Sequence, residues 1–430
     1  MRYAKYKPTG IAWLPEVPEG WEMVRVRSLF EWRREKNNPI KSEERLSLSI
    51  DKGVTRYSEK TTNLDRFKED FTEYLLAYPN DIVLNSMNMI VGAVGKSRYF
   101  GCVSPAYYVI RLRDCDADID YYSLLLNVQA IRDVYHVLGR GICAIERGNG
   151  RVNTCRLKVP YNSFAFIPVP HPPLPTQHVI VAYLDEKCGK VDRLVAAKEN
   201  EVALLKELKQ SMIAEVVTRG VRLKRRLVPS GIPWLPEVPE GWEMKRLKWI
   251  LEEIKVLSTT GEELPLSLTA TDGLIPFSEK ANRTMESATY VGAKIVRKGQ
   301  IVFNRFKARL FAVAPCTGLV SSDYAVYQVR IEVEKKFLLY LFATPTFRQV
   351  MNNQASGIGD GFSRLYSSEL FKLYVPLPPL VEQREIVAHI EARAAKIDAA
   401  VKGLEREVAA LKEYKQRLIA DVVTGQRKVA

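Results

Sequence analysis

No stretch of this chain approaches the ~18 consecutive apolar residues that a membrane-spanning helix requires. The first ten residues, MRYAKYKPTG, lack the apolar core of a secretory signal. The six cysteines (102, 115, 143, 155, 188 and 316) form no CxxC pair, and five of them lie in the first half of a chain whose halves are related. A disulfide framework or a zinc site would recur in both halves, so reduced thiols in a cytoplasm are expected. The four histidines (136, 171, 178 and 389) lack HExxH spacing and a serine-triad pattern. There is no Walker A lysine motif, no PD…(D/E)xK nuclease motif, and no NPPY or DPPY stretch of the kind that holds a flipped adenine. The NPI at Asn38 lacks the second proline and the aromatic. GRGICA (Gly139 to Ala144) fits a loose GxGxxA but follows a helical pattern rather than a strand. Asp114, Asp116, Asp118 and Asp120 alternate as a calcium loop would. Ile119 then stands where that loop needs glycine and Leu125 where it needs glutamate, which leaves a surface loop before a helix. Catalytic motifs are missing throughout, and binding chemistry remains.

What is present is charge. The formal net charge is +14 over 430 residues, and the 47% hydrophobic content is ordinary for a globular chain long enough for two or more domains. Such an excess of cations points to a polyanionic partner, nucleic acid first and an anionic membrane surface second.

The chain is also written twice. GIAWLPEVPEGWEM begins at Gly10 and GIPWLPEVPEGWEM at Gly231, with 13 of 14 residues identical at an offset of 221. VPHPPLPTQHVIVAYLDEKCGKV at Val169 and VPLPPLVEQREIVAHIEARAAKI at Val375 open a second repeated block that aligns without a gap at an offset of 206. The segment between the blocks is therefore 15 residues shorter in the second half. Inside it only outlines correspond: LSLSIDKGVTRYSEK (Leu46) with LPLSLTATDGLIPFSEK (Leu264), DIVLN (Asp81) with QIVFN (Gln300), AYYVIRL (Ala106) with AVYQVRI (Ala325). A constant frame around two divergent inserts suggests one task performed on two different targets.

After PHPPLP and PLPPL come roughly 45 residues without proline, and proline at the start of a helix fits helix-start chemistry. Ile397, Leu404, Leu411 and Leu418 recur every seven residues, with Val401 and Val408 beside them. The first copy has Val191, Lys198, Leu205 and Met212, with Val195 and Val202 beside them. A seven-residue apolar repeat is a coiled-coil seam. The simplest way to bury both stripes is antiparallel packing of one copy on the other, related by an internal pseudo-two-fold axis. Two amphipathic helices docking separately are the alternative.

Each module begins with the repeated opening phrase. Trp13, Leu14, Pro15, Pro18 and Trp21, repeated as Trp234, Leu235, Pro236, Pro239 and Trp242, read as packing residues, with an aromatic ligand site as the other reading. In IVFNRFKARLFAV, Arg305, Lys307 and Arg309 alternate with apolar residues after Asn304. As one strand this would put the cations on a single face, suited to phosphates and base edges or simply solvated. The matching first-half stretch carries Asn85, Ser86 and Asn88, then Lys96 and Arg98. Two matching polar loops, with Arg56, Tyr57, Ser58 and Lys60 in one and Ser278 and Lys280 in the other, either approach DNA or cap the sheet. A helix from Asp120, with Asp120 as N-cap, and one from Lys335 broken at Pro345 are expected. Glycine-rich basic loops carrying Arg140 and Arg147, and Arg364, close the modules. Glycine lets backbone approach a phosphate, though a plain flexible turn fits equally.

On these residues (GIPWLPEVPEGWE and its copy at Gly10, VPLPPLVEQREIVAHIE and its copy at Val169, LKEYKQRLIADVVTGQ and its copy from Leu204) the chain resembles the specificity subunit of type I restriction–modification systems over essentially its whole length. It departs at Thr176-Gln177, where the second copy has Glu382-Gln383. The resemblance implies an α+β fold with two α/β target recognition domains (1–168 and 229–374). Two conserved helical regions (169–228 and 375–430) would form an antiparallel coiled coil that sets their separation. It implies a non-catalytic DNA-binding subunit in which each domain reads half of a bipartite site on double-stranded DNA. Two methyltransferase subunits and restriction/translocase subunits would be its partners, and S-adenosylmethionine, ATP and magnesium would sit on those partners. The rival readings are a specificity subunit of a methylation-only system, a duplicated coiled-coil adaptor that does not bind DNA, and an enzyme with unrecognised motifs.

Overall fold

The computed structural model describes residues 2–50, 52–59, 70–113, 116–142, 156–222, 224–270, 272–280, 289–306, 310–357 and 363–429. The chain forms two compact units, Met1–Lys198 with Arg406–Ala430, and Glu199–Glu405.

The sheet of the first unit is built from β1 (Phe30–Arg33), β2 (Ile82–Asn85), β3 (Val94–Lys96) and β4 (Tyr107–Leu112), in the antiparallel order β1-β4-β2-β3. The second unit repeats that order with β5 (Leu251–Ile254), β6 (Ile301–Asn304), β7 (Phe311–Val313) and β8 (Tyr324–Val329), arranged β5-β8-β6-β7. Tyr107 lies opposite Asn85, and Tyr324 opposite Asn304. YYVIRL from Tyr107 therefore matches YAVYQV from Tyr324, two residues away from the correspondence that the letters suggest. A two-residue slip keeps every side chain on its face, so the apolar pattern alone does not reveal it.

Each module is zipped shut at its base. Glu22–Arg25 pairs with Pro168–His171 in one unit, and Glu243–Arg246 with Tyr374–Leu377 in the other. The opening phrases fold as hairpins of identical register, Tyr6 opposite Pro18 and Leu227 opposite Pro239. The packing reading of their tryptophans holds. Trp21 is buried with Ile180, Leu184, Leu418 and Val422, and Trp242 with Met212, Val216, Val217 and Ile386.

Two long helices fill the repeated frame: α1 (Leu174–Arg219) and α2 (Leu380–Val423). Each gives one part to each unit. In the first unit Asp192 meets Lys415 and Lys198 meets Glu407; in the second, Lys206 meets Glu405 and Lys209 meets Asp398. Rising numbers facing falling numbers make the packing antiparallel in both. Residues 191, 195, 198, 202, 205, 209, 212 and 216 on α1, and 394, 397, 401, 404, 408, 411, 415, 418 and 422 on α2, are buried or half-buried among mostly exposed neighbours. The steps of three and four are the heptad seam. Val191, Val195, Met212, Val401, Val408 and Leu418 are buried; Val202, Leu205, Ile397, Leu404 and Leu411 are half-buried.

A buried glutamine joins each helix to its module. Gln177 accepts from the Asp118 N–H at 2.8 Å and donates to the carbonyls of Pro172 (2.7 Å) and Asp116 (3.3 Å). Gln383 accepts from the Glu334 N–H at 2.9 Å and donates to the Pro378 carbonyl at 2.8 Å. Beside it the buried Glu382 takes the half-buried Arg225 at 2.8 Å, a pair for which Thr176 offers no equivalent.

Two local expectations are corrected and one is met. The N-cap of the first module helix is Asp118, which accepts from Asp120 and Tyr121, and the helix is two pieces, Ile119–Leu125 and Gln129–Leu138. The break at Pro345 is present: the helix from Lys335 ends at Ala343, and Pro345 opens the next (Pro345–Asn353) at its first turn, capped by Thr344. Residues 301–313 are not a single strand. Ile301 pairs with Val313 and Phe303 with Phe311, so the two ends of the stretch are separate strands of one antiparallel pair.

Candidate nucleic-acid interface

Four of the expected contact residues, Lys60, Arg147, Lys307 and Arg309, lie outside the described residues. The others separate into groups that face solvent and groups that hold the fold.

In the first unit Arg56, Ser58, Asn88, Arg98 and Arg140 are exposed, and Tyr57 and Lys96 are half-buried. Lys96 and Arg98 line one pocket with Lys52, Thr55, Tyr99 and Asp120. The Arg56 guanidinium lies 5.1 Å from the Tyr99 ring centre, which adds a fourth cation to that rim. Asp120 tempers it by pairing with Lys96. Asn85 and Ser86 are corrected: both are buried. The Asn85 Oδ1 accepts from the N–H groups of Met87 (3.1 Å) and Asn88 (3.3 Å), and the Ser86 Oγ donates to the Ala106 carbonyl at 2.8 Å. A polar side chain at a strand end that satisfies its own backbone is spent on the turn.

In the second unit Ser278 is exposed and Lys280 half-buried. Lys280 lines a cleft with Phe277, Thr289, Tyr290, Ser321 and Tyr324. Asn304 repeats the role of Asn85, its Oδ1 accepting from the Phe306 N–H at 2.9 Å. Arg305 is largely sequestered in an ion pair with Glu253, both side chains being under one-fifth exposed. Burial, then Arg305, pushes the nearby Lys294 ammonium below its usual range. Arg364 pairs with Asp323 at 3.1 Å and lies over the Phe306 ring at 4.7 Å.

Another group escapes single-residue reading. Trp32 on β1 stacks on Tyr161 with ring centres 4.2 Å apart and planes 27° apart, and Tyr108 meets Trp32 edge-on at 5.2 Å. The Arg34 guanidinium sits 3.7 Å from the Trp32 ring centre. These residues line an open pocket with Arg140, Lys158, Pro160 and Asn162. Burial raises the Tyr161 hydroxyl, with Arg113 and Arg34 acting in the opposite direction. The available signal was the repeat itself: Lys158 aligns with Arg364 at the 206 offset. Among the described residues no cluster of three or more His, Cys, Asp or Glu side chains is placed to hold a metal, and no helix is long and apolar enough to cross a membrane.

Comparison with known proteins places this arrangement. The family model described as type I restriction modification DNA specificity domain matches twice, over residues 18–204 and 239–408. The type I restriction enzyme MjaVIII specificity subunit of Methanocaldococcus jannaschii is 20% identical, the alignment covering 96% of this chain and 94% of that one. The EcoDI specificity subunit of Escherichia coli is 24% identical over 59% of this chain and 61% of its own. A chain from a solved structure of the type I R-M system, concerned with complex assembly and conformational transition, superposes with a TM-score of 0.64 at 17% identity. That alignment covers 95% of this chain and 98% of that one, which is a likeness of fold.

Proposed function

The chain belongs to the type I restriction–modification DNA specificity family, and from that premise we propose that its two modules each read one half of a bipartite double-stranded DNA site. The single observation that carries this is one sheet topology used twice with different polar surfaces, each closed at its base by the same strand pairing. Cations on the module rims neutralise phosphates and fix register, while forked and amide side chains discriminate bases. Two short readings become one longer specificity because both must engage together.

On this reading the chain performs no chemistry. Two methyltransferase subunits bring S-adenosylmethionine and modify the site. Restriction/translocase subunits, with ATP and magnesium, cut DNA that lacks the mark. The work is cytoplasmic. The helices act as the spacer between the two readings.

Methylome sequencing of cells expressing the chain with its methyltransferase subunits tests this. A motif of two short defined blocks around an undefined gap is expected, and a single continuous motif, or none, refutes the reading. Seven residues added at matched points of α1 and α2 lengthen each helix by roughly 10 Å. At ~3.4 Å per base pair the gap should widen by about 3 base pairs with both blocks unchanged. An unchanged gap rejects the spacer role.

A further inference from the structure

Resting on the DNA-reading function above, we infer that Arg34, seated over the Trp32 ring, is a base-reading side chain of the first module, and that the edge it reads is a guanine in the major groove.

The first support is the mounting of the guanidinium. Trp32 is fixed on one side by Tyr161 at 4.2 Å and braced by Tyr108 at 5.2 Å. Arg34 covers it at 3.7 Å from the ring centre yet remains exposed. An arginine stacked on an aromatic ring keeps its planar fork of N–H donors at the rim and gives up little freedom when it binds. Among the described residues no carboxylate pairs with Arg34, Arg140 or Lys158, and none lines their pocket. A forked, unneutralised donor set held in one plane fits the paired acceptors O6 and N7 of guanine.

The second support separates base from phosphate. The backbone of DNA is the same in any half-site, so phosphate contacts should persist between the modules and base contacts should change. Lys158 aligns with Arg364, a cation in both modules. Trp32 lies opposite Ile110, and its structural counterpart opposite Tyr327 is Glu253. Tyr161 aligns with Ser367, and Arg34 with Lys255, which has no fork. The platform and the fork are thus lost together at matched positions of one sheet edge. Both positions keep a cation, so charge alone does not separate them; Arg34 is set apart by its aromatic mount, which the second module replaces with Glu253 and Ser367.

The test uses the full chain with its methyltransferase subunits in cells, read by methylome sequencing. R34K keeps the charge and removes the fork. Expected is a tenfold or greater loss of discrimination at one guanine of one half-site, with the other half-site intact. K158A should lower methylation evenly across all sites without altering the motif. A thermal midpoint of R34K equal to the unaltered chain shows that folding is preserved. An unchanged motif in R34K, or an equal loss at both half-sites, overturns the assignment. A two-part motif absent even from the unaltered chain overturns the functional premise instead, so the two failures are distinguishable.

Discussion

The two modules share a backbone and differ in how they spend their polar groups. In the first, Arg33 and Asp81 form a buried pair at 2.8 Å, and Asp81 also accepts from the Tyr78 N–H. Burial outweighs Arg33 and leaves the Asp81 carboxyl above its usual range. At the matching places the second module has Ile254 and Gln300, and Gln300 accepts from the Arg297 N–H at 2.7 Å. The turn keeps its cap while both charges vanish together. On the neighbouring residue the trade reverses: the first module has the Trp32–Tyr161 stack, the second the Glu253–Arg305 pair and a Tyr327–Ser367 hydrogen bond at 3.0 Å. Backbone needs are met in both modules, and side-chain chemistry drifts in compensated sets.

The sharpest way to break the comparison is to remove one member of a set. Asp81→Ala leaves a largely buried Arg33 with only the more distant Glu35, at 3.7 Å, and should cost about 3 kcal/mol in urea unfolding, with exchange protection lost in the first unit alone. The double change Arg33→Ile with Asp81→Gln, which installs the second module's solution, should recover most of it. Next come the glycines that end the long helices, both with φ near +75°. A Cβ at Gly425 would stand 2.5 Å from Cδ of the rigid Pro18 ring; at Gly220 the nearest atoms are Glu382 Oε1 at 3.0 Å and the Trp242 ring at 3.2 Å, a looser fit. Gly425→Ala should therefore cost roughly 2–4 kcal/mol and Gly220→Ala roughly half as much, by the same unfolding assay. Gln177→Ala, which orphans three partners, should cost about 2 kcal/mol and exceed Gln383→Ala, which orphans two. Smallest is the seam. Lys209–Asp398 and Lys415–Asp192 are one ion pair written twice, and each lysine is about one-third exposed. Replacing both lysines with leucine should raise the thermal midpoint by an amount equivalent to roughly 1 kcal/mol, because the apolar burial gained exceeds what two half-exposed pairs contribute.

Much of this fold is legible in the residue order. The heptads around Val401 and Val191 place the seam, and the duplicated tryptophans place the packing of each hairpin. The failures share one cause. Arg305, Lys307 and Arg309 alternate as a strand would, but Asn304 turns the chain through its own bond to Phe306. Asn85 and Ser86 look like readers and are consumed by the backbone. Asp118 and Asp120 are equally good caps by composition, and only geometry selects Asp118. A polar side chain that satisfies its neighbour and one that awaits a ligand are the same letter. The Trp32–Arg34–Tyr161 group is hard to read for the converse reason: Tyr161 is distant in the chain from the other two and meets them only once β1 and the segment after Lys158 are in place.

The strand pairs that close each module at its base fix where an insert leaves and rejoins the frame. What happens between those two points is then a matter of loop length, and lengthening a closed loop is cheap, about 0.6 kcal/mol for each doubling. The second insert has shed 15 residues relative to the first, yet its closing strands meet residue for residue as before, Glu243 on Leu377 where the first has Glu22 on His171. Insert and frame are thereby free to change on separate clocks: new surface accumulates in one without demanding any adjustment in the other.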